Sequence, residues 1–428
     1  MKLITGTAFA FIAAASAVPA SAQYNNSDPR QPMAEQQAPQ QQAPQQQQAA
    51  NQQAAPSVKP SSKAVKAILD LQTAVNNKDV ANIPAKVAAA QAVATTKEDH
   101  YLIATLQLKA ALAASDNAAM VAAIDAIASS NYLDGAKLAG LYSSLGGTLL
   151  NAKQYTQAAA AYRKALAIDP QDSEAQRLLG ISYYEAGQKG EAVAALQKAI
   201  AASAAAGQKP GEDMYKLAVQ AAFDTRSAAA DDLARQWLAA YPSPESWRDT
   251  VAVYRGLNQP DTESTLDLMR LLQATGALKQ PDDYAVFIVD AADQNNYNEA
   301  QEILDAGIAA KVIDPSSRDF RDIVAALKTK PKATAADLAE ATKTAANGMA
   351  LLHIGDRYYA MGNYAKAVEL YKMAMGKPGV DRSVAYLHVG MALARSGDKA
   401  GATAALNSVT GPRADVAKYW LIYVNQKA

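Results

Sequence analysis

The sequence predicts an all-α protein, an α-α superhelical solenoid of stacked helical hairpins behind a disordered N-terminal segment. Three observations predict it. Half of the 428 residues are apolar while aromatics make up only 7%, and the chain is alanine-rich, which favours helix almost everywhere. Apolar and small residues recur at i, i+3, i+4 and i+7, as at Tyr142, Leu145, Gly146 and Leu149, marking one face of a helix. The same pattern then occurs twice within residues 139–206: Leu145-Gly146 recurs at Leu179-Gly180, an offset of 34, with Ala158 at Ala192, Tyr162 at Leu196 and Ala165 at Ala199.

These positions have a packing meaning. Gly146 leaves the first helix shallow, so a second helix can lie close. Ala158, Tyr162 and Ala165 line the facing side of that second helix, one ring between two small residues. Pro170 stops it, because proline restricts the residue before it and lacks a backbone donor. One such hairpin cannot bury its own apolar face and needs stacked neighbours. On this period and these residues the chain resembles the tetratricopeptide-repeat family. The resemblance implies a solenoid whose first helices line a concave, partner-binding side.

From the N-terminus, Lys2, the apolar run Leu3–Val18 and Ala20-Ser21-Ala22 read as a secretory signal peptide over 1–22, cut before Gln23. An exported, cysteine-free chain of this composition points to a bacterium, with periplasm or secretion as the destination. Residues 23–60 are rich in Gln, Pro and Ala and hold almost no large apolar side chain. Such a segment cannot offset the entropy of ordering, so a disordered linker is expected. Its prolines oppose strand stacking.

Residues 61–138 read as degenerate repeats, with helices expected over 65–76, 83–94, 101–113 and 118–129. The Ser115-Asp116-Asn117 turn offers N-cap chemistry. The clear pair fills 139–206. Divergent hairpins follow over 207–346: Gly180 to Ala218 is a shift of 38, which places an insertion in the turn Gly207-Gln208-Lys209-Pro210-Gly211. The run Ala285–Val289 has strand-like composition but sits inside a helical period, so helix is expected there. The signature returns over 347–411, with Ile354-Gly355 and Tyr371 in one hairpin and Val389-Gly390 and Leu406 in the next. Residues 412–428 are expected to cap the exposed end of the array, although Tyr419 and Trp420 would also suit a partner.

Forty-one basic and 41 acidic residues give no net charge, which leaves no electrostatic case for nucleic acid or an anionic membrane. The absence of cysteine excludes disulfides, thiolate metal sites and thiol nucleophiles. No nucleotide-binding, zinc-protease or serine-hydrolase motif occurs, so no catalytic residue, metal or cofactor is expected. His353 and His388 take the same place in adjacent repeats and read as surface or groove residues. Asp231-Asp232 and Asp282-Asp283 read as helix-start carboxylates that favour the dipole. The concave side implied by the resemblance carries Arg177, Ile181 and Tyr184, then Tyr215 and Val219, and further on Asp356, Tyr359, Met391 and Arg395. That mixture has the composition of a protein-binding surface. Family members that grip a C-terminal carboxylate use a Lys/Asn clamp; Ser143 and Gly147 stand there, so that activity is not carried over. The expected function is a non-catalytic scaffold or adaptor of the cell envelope holding a partner's peptide or helix. An enzyme subunit acting on envelope polymers and a component of an assembly or secretion complex are the alternatives.

Overall fold

The computed structural model describes residues 58–426. The expected signal peptide, and the expected linker up to residue 57, lie outside the described residues. Within them are 21 α-helices and one short 3-10 turn, with no strand. The chain divides into two compact units after Ala202. The divergent stretch 207–346 therefore falls in the same unit as the hairpins of 347–411.

The N-terminal unit holds α1 (Val65–Asn76), α2 (Ile83–Val93), α3 (Lys97–Ala114), α4 (Asn117–Ser129), α5 (Gly135–Asn151), α6 (Tyr155–Ile168), α7 (Ser173–Glu185) and most of α8 (Lys189–Ala205). Helix α3 starts four residues earlier than the apolar period suggests, because Thr96 and Asp99 form a capping box. Asp99 also receives hydrogen bonds from the Ser61 amide and hydroxyl, both at 2.7 Å, which tie the first described turn to α3. Burial alone would raise the Asp99 carboxyl, but these bonds and those from the Thr95 and Thr96 amides outweigh it and lower its pKa to about 2.

The repeat signature is a knob-and-notch contact. Tyr162 on α6 is fully buried, and its ring atoms lie 2.7–2.9 Å from where a Gly146 Cβ would stand. No side chain larger than hydrogen fits there. The same notch recurs at Gly180 against Leu196, Gly355 against Tyr371 and Gly390 against Leu406. The turn after each first helix bends through a left-handed residue. Gly187, Gly362 and Gly397 fill that place in three repeats, and Lys153 adopts it at φ 59° in the other.

The C-terminal unit holds α9 (Glu212–Asp224), α10 (Ala229–Ala240), α11 (Pro244–Asn258), α12 (Thr262–Ala274), α13 (Pro281–Asp293), α14 (Tyr297–Ala309), α15 (Arg318–Lys328), α16 (Ala335–Thr344), α17 (Gly348–Ala360), α18 (Tyr364–Met375), α19 (Arg382–Ser396), α20 (Lys399–Asn407), the 3-10 turn Gly411–Arg413 and α21 (Ala414–Gln426). The Ala285–Val289 run is helical, inside α13. Helix α21 covers α19 and α20 as a cap would, and it also reaches far back along the chain. The Tyr419 hydroxyl donates to Asp231 at 2.7 Å, Trp420 Nε1 to the Asp267 carbonyl at 3.3 Å and Gln426 Nε2 to the Leu238 carbonyl at 3.1 Å. Just before it, Arg413 pairs with Glu263 at 2.6 Å and donates to the Ser264 hydroxyl at 2.8 Å. Tyr419 and Trp420 are fully buried by these contacts, so they do not face a partner.

Helix α12 is buried on every side from Ser264 to Leu272. It packs against its chain neighbours α11 and α13 and against α21, and its polar side chains reach α14 and α19. The C-terminal unit is thus wrapped around one of its own helices.

Candidate functional site

Three positions on each repeat's first helix decide whether a binding face is open: three residues before the small notch residue, one after it and four after it. They share one flank of the helix, beside the notch. In α7, around Gly180, they are Arg177, Ile181 and Tyr184, and all three are partly exposed. Arg177 is held by two hydrogen bonds to Glu174, at 2.8 and 2.7 Å, and Lys189 Nζ sits 5.5 Å from the centre of the Tyr184 ring. In α5, around Gly146, the same positions are Ser143, Gly147 and Leu150, again partly exposed. The N-terminal unit therefore presents a side lined by small residues on α5 and by Arg, Ile and Tyr on α7.

The C-terminal unit uses the same positions differently. Around Gly355 they are Leu352, Asp356 and Tyr359, and around Gly390 they are Leu387, Met391 and Ala394. All are buried except Asp356, whose side chain keeps 13% exposure. The reason is α12. Arg270 on α12 lies 5.4 Å from the centre of the Tyr359 ring and makes paired hydrogen bonds to Glu299 on α14, both at 2.8 Å. Its Nη1 also donates to Asp267 Oδ1 at 3.0 Å, and Asn296 Nδ2 holds Glu299 from the other side at 2.8 Å. Tyr359 and Asp356 therefore meet the unit's own buried charges, and Met391 is 1% exposed within the core, so these three do not line an open groove. Tyr215 and Val219 on α9 are buried as well. Arg395 is partly exposed and lies 5.4 Å from the Tyr364 ring centre.

Two sequence expectations need correction. His388 is not a surface or groove residue. It is 1% exposed, with Nδ1 3.0 Å from Asp356 Oδ1 and Nε2 3.3 Å from Asp267 Oδ2. His353, its repeat equivalent, keeps 41% exposure. The helix-start carboxylates also do more than favour the dipole. Asp231 binds Arg235 and the Tyr419 hydroxyl, and Asp283 binds Arg248 at 2.8 Å. Among the described residues no group of His, Asp and Glu has the arrangement of a metal site.

The closure around α12 had a sequence signal. Leu266, Leu268, Met269, Leu271 and Leu272 cover most of the circumference of that helix, and an apolar face that wide marks an interior helix. Asp267 and Arg270 are the polar exceptions within that run, and the buried network uses both.

A tetratricopeptide-repeat model matches residues 148–187, from the end of α5 through α6 and all of α7. Among curated proteins none matches the sequence significantly. Similar solved structures include the apo form of RapI, 15% identical, with 73% of this chain and 96% of that chain covered at a TM-score of 0.28. A tetratricopeptide repeat protein from Parabacteroides merdae is 11% identical, covering 76% and 99% at a TM-score of 0.26. Naa15/Naa10 bound to HypK is 14% identical, covering 86% and 65% at 0.32. The chain thus carries a tetratricopeptide repeat at residues 148–187 within an all-α array of helical hairpins.

Proposed function

We propose that this chain is a non-catalytic interaction scaffold of a bacterial cell envelope, exported by a signal peptide cut after Ala22. Its N-terminal unit holds an extended peptide or a helix of a partner protein on the side formed by α5 and α7. One observation carries the choice of unit. Equivalent positions are partly exposed around Gly146 and Gly180 but are filled from within around Gly355 and Gly390. A tetratricopeptide repeat is itself a protein-interaction scaffold, and the matched segment lies in the open unit. The α5–α7 side combines a shallow stripe at Ser143 and Gly147, where a partner backbone can come close, with the Arg, Tyr and aliphatic side chains that anchor interfaces. The export and envelope parts of the proposal rest on the N-terminal sequence. No helix among the described residues is long and apolar enough to cross a membrane.

A photo-crosslinking residue placed at Ile181 in cells, with one at Met391 as the interior control, tests the binding face. The expected result is a discrete adduct at 181, lost when Arg177→Ala and Tyr184→Ala are combined, and none at 391. An adduct that survives the double substitution contradicts the assignment. N-terminal sequencing of the protein from fractionated cells tests export, with Gln23 as the expected first residue. Retention of residues 1–22 contradicts it.

A further inference from the structure

His388 sits where three helices present charge to it. From α12 come Asp267 at one ring nitrogen, with Arg270 and Glu263 each about a turn away. From α17 comes Asp356 at the other nitrogen, and His353 lies 4.0 Å from Asp356 Oδ2. From α18 comes Tyr371, whose hydroxyl donates to Asp356 Oδ1 at 2.8 Å and whose ring stands edge-on to the imidazole at 5.3 Å between centres. Beyond these, Glu299 on α14 pairs with Arg270, and Arg413 pairs with Glu263.

The decisive point is that both ring nitrogens face carboxylates. A neutral imidazole carries one N–H and one lone pair. Here the lone pair would be turned on a carboxylate oxygen about 3 Å away, with the ring 1% exposed, an arrangement that burial makes strongly unfavourable. An imidazolium presents an N–H on both sides. Neither contact has the alignment of a straight hydrogen bond, so the attraction is that of opposite charges held close. With the proton, the inner cluster of Arg270, His388, Asp267, Asp356 and Glu299 carries one net negative charge; without it, two.

We infer that the C-terminal unit closes around α12 by binding a proton, with His388 as an imidazolium clasp between α12 and α17. The proton is a ligand of the closed unit and is given up when the unit opens. Burial opposes the charge on His388, but Asp356 and Asp267 outweigh it and raise the pKa to about 10. Since the folded value exceeds the ordinary value of about 6.5, the clasp is complete below that pH and is lost as pH rises toward 10. Alkali, not mild acid, opens it through this group.

Nitrogen-15 NMR of the full chain is the direct test, with the His388 ring assigned by comparison with H388Q. The expected spectrum is a doubly protonated ring, unchanged from about pH 6 to pH 9. The second measurement is proton release on unfolding at pH 8, followed by calorimetry in buffers of different ionisation heat. All three tryptophans, Trp237, Trp247 and Trp420, belong to the C-terminal unit, so their fluorescence isolates its transition. About one proton should be released, and H388Q should abolish that release. If H388Q does not fold, D267N supplies both the assignment and the variant test: it removes one of the two carboxylates and should lower the pH at which His388 loses its proton. A neutral His388 ring at pH 7, or unfolding of this unit at pH 8 with no proton released, overturns the inference.

Discussion

At the scale of single residues, the glycine notch is the contact on which the repeats depend. Tyr162 fills it in the best-preserved repeat, and Tyr162→Ala removes a fully buried ring. The expected cost is about 3–5 kcal/mol, read from denaturant unfolding. Tyr162→Phe should behave in the opposite way. The Tyr162 hydroxyl is buried with no hydrogen-bond partner among the described residues, so replacing it relieves about 1 kcal/mol of desolvation. A loss of stability in the phenylalanine variant would show that the hydroxyl has a partner after all. At the other end of the same unit, Asp99→Asn weakens the bonds from Ser61, Thr95 and Thr96, at an expected cost of about 2 kcal/mol. Because the Asp99 pKa lies below its ordinary value, its contribution is present above about pH 4 and disappears as pH falls toward 2. In Asp99→Asn that acid dependence should flatten.

At the scale of elements, periodicity and the 34-residue offset made the helices and hairpins legible. Both depend on local spacing that the sequence displays directly. The early start of α3 at Lys97 escaped the apolar pattern because capping sets it: Thr96 with Asp99 begins the helix before its first buried residue. The roles of α12 and α21 were harder to see. Their partners lie far along the chain, as Tyr419 to Asp231 and Trp420 to Asp267 show, and no local period encodes such a pairing. The resemblance to a repeat family supplied an open concave side by default. In the C-terminal unit α12 occupies the corresponding place. Helix α21 should therefore be essential to that unit rather than a dispensable cap. Trp420→Ala, which also breaks the bond to the Asp267 carbonyl, should cost about 3–5 kcal/mol. The expected readout is an earlier loss of tryptophan fluorescence from Trp237 and Trp247.

At the scale of the whole molecule, the two units apply one hairpin plan to different ends. In the N-terminal unit the repeat faces at α5 and α7 remain partly exposed, and only there do the predicted residues Arg177, Ile181 and Tyr184 stand together at the surface. In the C-terminal unit the corresponding positions enclose α12 and a cluster of buried charges. The charge contrast gives the units different pH responses. Asp356 is pushed up by burial, but the charges of His388 and Arg270 and the bond from the Tyr371 hydroxyl hold it well below the usual carboxylate range. Its contribution is therefore lost in acid, while that of His388 is lost in alkali. Stability of the C-terminal unit should form a plateau between about pH 4 and 6.5 and fall above that by up to about 1.4 kcal/mol per pH unit. A tryptophan-detected transition that stays flat up to pH 10 would refute that profile.

The contrast between an open and a self-filled face is tested most directly by one matched pair of substitutions. Tyr184 and Tyr359 hold the same repeat position, four residues after Gly180 and Gly355. The free energies of unfolding of Tyr184→Ala and Tyr359→Ala can be compared under identical conditions. The expected result is a loss under about 1 kcal/mol for Tyr184→Ala and about 3–5 kcal/mol for Tyr359→Ala. Equal losses, or the larger loss at Tyr184, would contradict the division of the chain into an open unit and one closed around its own helix.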